Sequence, residues 1–226
     1  MADFRYAQFC PLARATEVVG NRWSLLVLRE LMVGPQRFGE LKRRLAGVST
    51  SVLAERLAAL EEYGVVAQAE LPPPASVRVY QLTAHGEAFR PVLLELARWG
   101  MRWLRAPDAG DHFEPDWVRL ALQAFAAEGP TPARRFELRI ASGGKRASFR
   151  FEGGAHGFRF AADDAPAELV IEAGPADAIG LLTGLLPAAA ARARGTRIDG
   201  DAAALADLPL LFHFDVLQRA QPGANP

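Results

Sequence analysis

The chain has 226 residues, enough for one large domain or two ordinary ones, and half of them are apolar, ample for packed cores. No run approaches 18 uninterrupted apolar residues, which argues against a membrane helix, and a single cysteine excludes an intrachain disulfide framework. The net charge of zero argues against a uniformly basic nucleic-acid binder, but residues 1–106 hold 14 Lys/Arg against 10 Asp/Glu, whereas residues 107–226 hold 12 against 16.

The opening MADFRYAQFCPLA lacks the basic-then-apolar layout of a secretory signal, so a cytoplasmic protein with no membrane partner is expected. Pro11 to Val19 predicts a short helix, with Pro11 at the tolerated first turn and Gly20 at its end. Asn21 then caps RWSLLVLRELM, in which Trp23, Leu26, Val27, Glu30 and Leu31 make one mostly apolar face, until Gly34-Pro35 stops it. RFGELKRRL follows as a helix, with Phe38, Leu41 and Leu45 on one side, and Gly47 breaks it. In GVSTSVLAERLAALEEYGVV, Leu53, Leu57 and Leu60 line a buried stripe with Val52 and Tyr63 beside it. The other face carries Thr50, Ser51, Ala54, Glu55, Ala58 and Glu62; Arg56 lies toward the edge, and Gly64 suits the left-handed position after a helix. VVAQAEL reads as a strand, PPPAS as a stiff turn and VRVYQL as the returning strand.

A helix–turn–helix followed by a hairpin is a winged-helix arrangement, in which the second helix enters the major groove N-terminus first. Ser49, Thr50 and Ser51 are small hydroxyl residues at that tip. They let the backbone approach a duplex, and their O–H groups together with the helix's free N–H groups can meet phosphates or base edges. Arg56 reaches further, Arg78 is placed beside the proline-rich wing, and Arg37, Arg43 and Arg44 flank the site from the preceding helix. Each residue alone also fits capping or a solvated face; double-stranded DNA is the partner that accounts for them together.

This half resembles the HxlR family of bacterial transcription regulators. The residues that carry the resemblance are CPLARATEVVGNRWSLLVLREL, GPQRFGELKRRLAGVSTSVLAERLAALEEYGVV, VRVYQLTAHG and LLELARWGMRWL, in that order over about residues 9 to 104. The resemblance implies a homodimeric winged helix on palindromic operators, often near a divergently transcribed gene. It places the dimer interface on the first and last helices of the module, here the helix from Pro11 and the stripe Phe89, Leu93, Leu96, Trp99 and Trp103. The wing PPPASVRVY departs from the family pattern in its triple proline and its lack of an acidic residue. Cys10 sits where some family members carry a redox- or aldehyde-sensing cysteine; a small buried hydrophobe is the other reading of a lone thiol there.

RAPDAGDHFEP reads as a linker, which divides the chain into a winged-helix domain at 1–106, a linker at 107–114, a second domain at 115–218 and a disordered tail at 219–226. PDWVRLALQAFAAEG predicts a helix, and FELRI, ASFRF, GFRF and ELVIE are short alternating strands separated by glycine turns. TRIDGD adds a fifth strand that ends near an Asp201 cap. The expected fold is therefore α+β, with a five-stranded, mostly antiparallel sheet covered by the apolar helices of ADAIGLLTGLLPAAAA and DAAALADLPLLFHF.

The segments AELVIEAGPADAIGLLTG and GTRIDGDAAALADLPLLF resemble the sterol carrier protein type 2 domain over about residues 115 to 218. That resemblance implies a non-catalytic fold whose cavity accepts fatty-acyl or sterol-like molecules. Its lining candidates are Phe149, Phe151, Phe158, Phe160, Ile179, Leu182, Leu186, Leu211 and Phe214; a plain packed core is the competing reading. His85, His112, His156 and His213 lack metal-ligand spacing, ASGGKR lacks a full phosphate loop, Asp163-Asp164 reads as a solvated pair, and Asp199 and Asp201 as a turn and a cap. No metal, cofactor or catalytic residue is expected. The reading is a regulator with an apolar effector; the alternative is an acyl carrier or acyl-compound enzyme using the winged helix for protein contacts.

Overall fold

The structure, a computed structural model, describes residues 5–72, 74, 76–104 and 111–214. Residues 107–110 of the expected linker, residues 215–218 and the expected tail lie outside the described residues. The chain forms two compact units, Met1–Leu93 and Leu94–Pro226.

In the first unit α1 (Pro11–Val19) starts on a proline, whose missing N–H would be unpaired there in any case. α2 (Ser24–Val33) begins later than the pattern suggests: Ser24 N bonds Asn21 O at 3.0 Å, so Asn21 opens a turn and Trp23 occupies the cap position. α3 (Phe38–Arg44) and α4 (Thr50–Glu62) follow the expected apolar spacing. Val27, Leu28 and Leu31 from α2, Leu41 from α3, and Leu53, Leu57 and Leu60 from α4 are all buried. Each buried aliphatic chain contributes about 1.5–3 kcal/mol, enough to fix which face of each short helix points inward.

β1 (Val66–Glu70) and β2 (Arg78–Leu82) pair antiparallel from Val66↔Leu82 to Glu70↔Arg78. Gln36 bridges to Tyr80 with reciprocal backbone bonds of 2.9 and 2.7 Å, tying the α2–α3 turn to the hairpin. Gly64 adopts φ +67°, the left-handed geometry its position requires. Thr83 Oγ1 donates to Gly64 O at 2.6 Å and accepts from Gly86 N at 3.1 Å, capping α5 (Ala84–Glu87). A Cβ on Gly86 would lie 2.1 Å from Val65 O, so only glycine lets that turn approach β1. α6 (Arg90–Gly100) comes next.

In the second unit, a 3-10 turn at Met101–Trp103 extends α6, and another at Pro115–Trp117 leads into α7 (Val118–Phe125). The sheet comprises β3 (Arg135–Ser142), β4 (Lys145–Glu152), β5 (Arg159–Phe160), β6 (Leu169–Ala173) and β7 (Arg197–Gly200), in the order β5-β4-β3-β6-β7. Gly143 and Gly144, both at positive φ, make the β3–β4 turn. The expectation of a mostly antiparallel sheet is corrected here to a mixed one, because β3 and β6 run parallel from Phe136↔Leu169 to Ile140↔Ala173. β4 and β5 occupy one flank of β3, so the chain crosses over and enters on the other flank, in the direction of β3.

Phe136, Leu138, Ile140, Phe149, Phe151, Leu169, Ile171 and Ile198 turn to one side of the sheet. They share a core with residues from α7, from α8 (Pro175–Leu182), from α9 (Ala188–Ala193) and from α10 (Ala202–Asp207). The opposite face is a charge ladder, with Arg135 3.1 Å from Glu152, Arg150 3.5 Å from Glu137 and Arg197 3.5 Å from Glu172. At the start of β3, Arg134 gathers Glu168 at 2.7 Å, Asp201 at 3.2 Å and Asp207 at 2.9 Å. Asp201 Oδ1 also accepts from Ala203 N at 2.9 Å, the expected cap of α10. No helix among the described residues is long and apolar enough to cross a membrane.

Candidate nucleic-acid interface

The N-terminus of α4 faces solvent. Ser49 has extended backbone and its Oγ accepts from Val52 N at 3.2 Å, while Ser51 Oγ lies 3.1 Å from Ser49 Oγ. Ser49, Thr50, Ser51, Ala54 and Ala58 are exposed, and Leu53, Leu57 and Leu60 hold the opposite face in the core. The free N–H groups of this first turn carry a partial positive charge and point toward whatever approaches the tip.

Arg37, at the cap position of α3, is exposed, as is Arg43 further along, whose Nε donates to Glu40 Oε2 at 3.3 Å. Arg78 is exposed on β2 opposite Glu70, and Gln68, Ala69, Glu70 and Arg78 line an open hollow on the wing. Burial, with Glu61 nearby, raises the Tyr80 hydroxyl above its ordinary value, and Arg78 opposes the shift. Arg56 is only 15% exposed and is ion-paired with the neighbouring Glu55.

Arg44 does not share this surface. Its side chain is buried against Glu30, which is also held by Arg29 at 2.6 Å. The physical reason is Glu30 itself: an acid on the apolar face of α2 needs compensating charge once it leaves water. The signal was present in the sequence, since Glu30 stands within the Trp23–Leu31 stripe, but the stripe alone does not say which arginine answers it.

On α6 and the turn after it, Leu96 is 41% exposed and Trp99 and Trp103 are each 57% exposed, their ring centroids 4.4 Å apart. Phe89 is half-buried. Leu93 departs from the expected interface stripe: at 8% exposure it is committed to the interior of its own chain. Phe9 and Leu12 are exposed at the start of α1, and Cys10 between them is partly exposed.

Residues 18–108 match the family described as HxlR-like helix-turn-helix. An uncharacterized HTH-type transcriptional regulator of Synechocystis, sll1512, is 38% identical over 104 residues, which are 45% of this chain and 75% of the relative. The uncharacterized HTH-type transcriptional regulator YvaP of Bacillus subtilis is 37% identical over 100 residues, which are 43% of this chain and 92% of the relative. The chain belongs to the HxlR-like family. A solved structure of the reduced form of the transcriptional regulator YodB from B. subtilis is 33% identical and covers 45% of this chain and 100% of its own, with a TM-score of 0.38.

The HxlR-like segment ends at residue 108, so the cavity candidates lie beyond it. Phe149, Phe151, Leu182 and Leu211 are buried, and Phe158, Phe160, Ile179, Leu186 and Phe214 are partly buried against the same core. The rings touch one another: Phe158 is 5.4 Å from Phe151 and 5.2 Å from Phe160, and Phe214 stacks on Phe125 at 4.6 Å. Arg119 lies over the Phe160 ring at 4.1 Å.

Proposed function

We propose that this HxlR-like chain is a DNA-binding transcription regulator that acts as a homodimer on a palindromic operator. The observation that carries the reading is the exposed Ser49–Thr50–Ser51 tip of α4, held outward by a helix whose leucine face is buried. In this reading α4 enters the major groove, and Arg37, Arg43 and Arg78 contact phosphates on either side. Arg56 exchanges Glu55 for a base edge, while Arg44 stays inside as a structural partner of Glu30. The exposed Leu96, Trp99 and Trp103, with the α1 segment, supply the dimer contact, and two-fold symmetry sets the half-sites about 34–36 Å, or a multiple, apart.

For the second unit the reading is a sterol carrier protein type 2-like module for an apolar acyl or sterol-like effector. The succession β6, α8, α9, β7 ending at Gly200-Asp201, then α10, supports it. A ligand would enter past the half-buried rings of Phe158, Phe160 and Phe214. Cys10, at the entry to α1, is the proposed redox-sensing residue.

The test is selection of bound fragments from genomic DNA by the full chain, followed by anisotropy on the recovered site over a salt series. A DNA reader loses affinity steeply, with log K falling by about 0.9 per phosphate contact per log unit of salt. Recovery of no enriched fragment, with acyl compounds bound or turned over instead, favours the carrier or enzyme alternative. Diamide treatment that leaves both Cys10 and operator affinity unchanged removes the sensing role.

A further inference from the structure

The segment from Leu94 to Trp103 serves two surfaces at once. On one stripe Leu94 packs against the core of the second unit, Met101 is buried within it, and Arg98 Nε donates to the carbonyl of Ala124 in the last turn of α7. Arg98 is simultaneously paired with Glu95. On the other stripe Leu96, Trp99 and Trp103 are open to solvent. The spacings 94, 98, 101 and 96, 99, 103 each follow the helical repeat, so the two stripes run along one rod. A rod of hydrogen-bonded backbone cannot reposition one stripe and leave the other in place. The cation at the α7 C-terminus satisfies a carbonyl that has no partner within its own helix.

We propose that the second unit sets the strength of the homodimer through this segment: Arg98 and Met101 are positioning residues that fix the angle and order of the Leu96–Trp99–Trp103 face offered to a second copy. The inference rests on the dimer reading above and adds to it a direction of control. Anything that loosens or tightens the core around Met101 and α7, an effector included, shifts dimer association by the same factor that dimer formation shifts the order of α7. Operator affinity follows, because two half-sites need two joined readers.

The experiment uses the full chain. Sedimentation velocity over a concentration series gives the dimer constant of wild type, Arg98→Gln and Met101→Ala, with Arg146→Gln, an exposed change on β4, as control. Hydrogen exchange reports the order of residues 118–125 in each. Both positioning variants are expected to weaken the dimer about fivefold or more and to speed exchange in α7, with the control unchanged. Reciprocally, Trp99→Ser with Trp103→Ser makes a monomer whose α7 exchanges faster than in the wild-type dimer. If Met101→Ala does not fold, Arg98→Gln, at a side chain 31% exposed, carries the test alone. A wild-type dimer whose constant is unmoved by Arg98→Gln while α7 exchange rises overturns the coupling. A wild type that is monomeric at every concentration overturns the dimer reading itself, and the coupling with it.

Discussion

Arg44 Nε lies 2.7 Å from Glu30 Oε2, and the two side chains are 4% and 0% exposed. This ion pair joins the end of α3 to the middle of α2 inside the helix–turn–helix. Taking both charges out of water costs several kcal/mol, which their attraction and hydrogen bonds offset only while both are present. Arg44→Ala is therefore expected to destabilise the first unit by about 3–5 kcal/mol in urea denaturation, whereas Glu30→Leu combined with Arg44→Met restores most of the loss. An alanine variant as stable as wild type would show that the pair is not what holds these helices.

The tip of α4 separates folding from binding. Ser51 is exposed, and a carboxylate in the first turn favours the helix by about 0.3–1 kcal/mol. Ser51→Glu should thus melt no lower than wild type, yet lose operator binding through repulsion from phosphate. Ser49→Ala removes the acceptor for Val52 N and should cost about 0.5–2 kcal/mol in stability. Thermal melts paired with anisotropy read both; a Ser51→Glu protein that binds as well as wild type places the DNA elsewhere.

The wing and helix arginines are predicted to differ in kind. Arg78→Ala should weaken all sequences alike and lower the salt slope by about 1. Arg56→Ala should cost about 1–3 kcal/mol on the preferred site and relax choice at one base position. Binding measured on a panel of point-substituted operators distinguishes the two, and an Arg56→Ala profile identical to wild type returns that side chain to its pairing with Glu55.

Glu137 is expected to contribute to the acid limb of the second unit's stability. The Arg139 guanidinium, assisted by the Ser148 hydroxyl and by Arg150, holds its carboxyl below the ordinary 4.5 against the opposing effect of burial. A carboxyl with a depressed folded-state value stabilises fully above the unfolded value and loses that contribution as pH falls through the folded one. Urea midpoints of the wild type should decline as pH drops below 4.5, and Glu137→Gln should be less stable near neutrality with a shallower decline. Parallel pH profiles for the two proteins would show that this carboxyl does not set the limb.

Much of the first unit could be read from residue spacing, because its helices are short, amphipathic and punctuated by Gly20, Gly34-Pro35, Gly47 and Gly64. The Gln36–Tyr80 bridge could not, since two reciprocal backbone bonds leave no pattern in side chains. Arg44 is not distinguishable by spacing, because the three consecutive bases Lys42, Arg43 and Arg44 look alike in sequence and only the angle about the α3 axis turns the last one inward. In the second unit alternation revealed the strands but not their partners: nothing in FELRI or ELVIE says that they lie side by side and parallel. That relation depends on which flank of β3 is already occupied, a fact of topology rather than of local sequence.

The three carboxylates around Arg134 stand 34, 67 and 73 residues further along the chain. β3 is also the middle strand of its sheet, waiting for β6 on one side. During synthesis the HxlR-like portion can close on local contacts as it emerges, but β3 completes its pairing only after β6 has been made, and Phe136, Leu138 and Ile140 gain the rest of their cover from α8, α9 and α10 later still. The second unit is thus the part of the molecule whose assembly leans on partners distant along the polypeptide, where the first leans on neighbours.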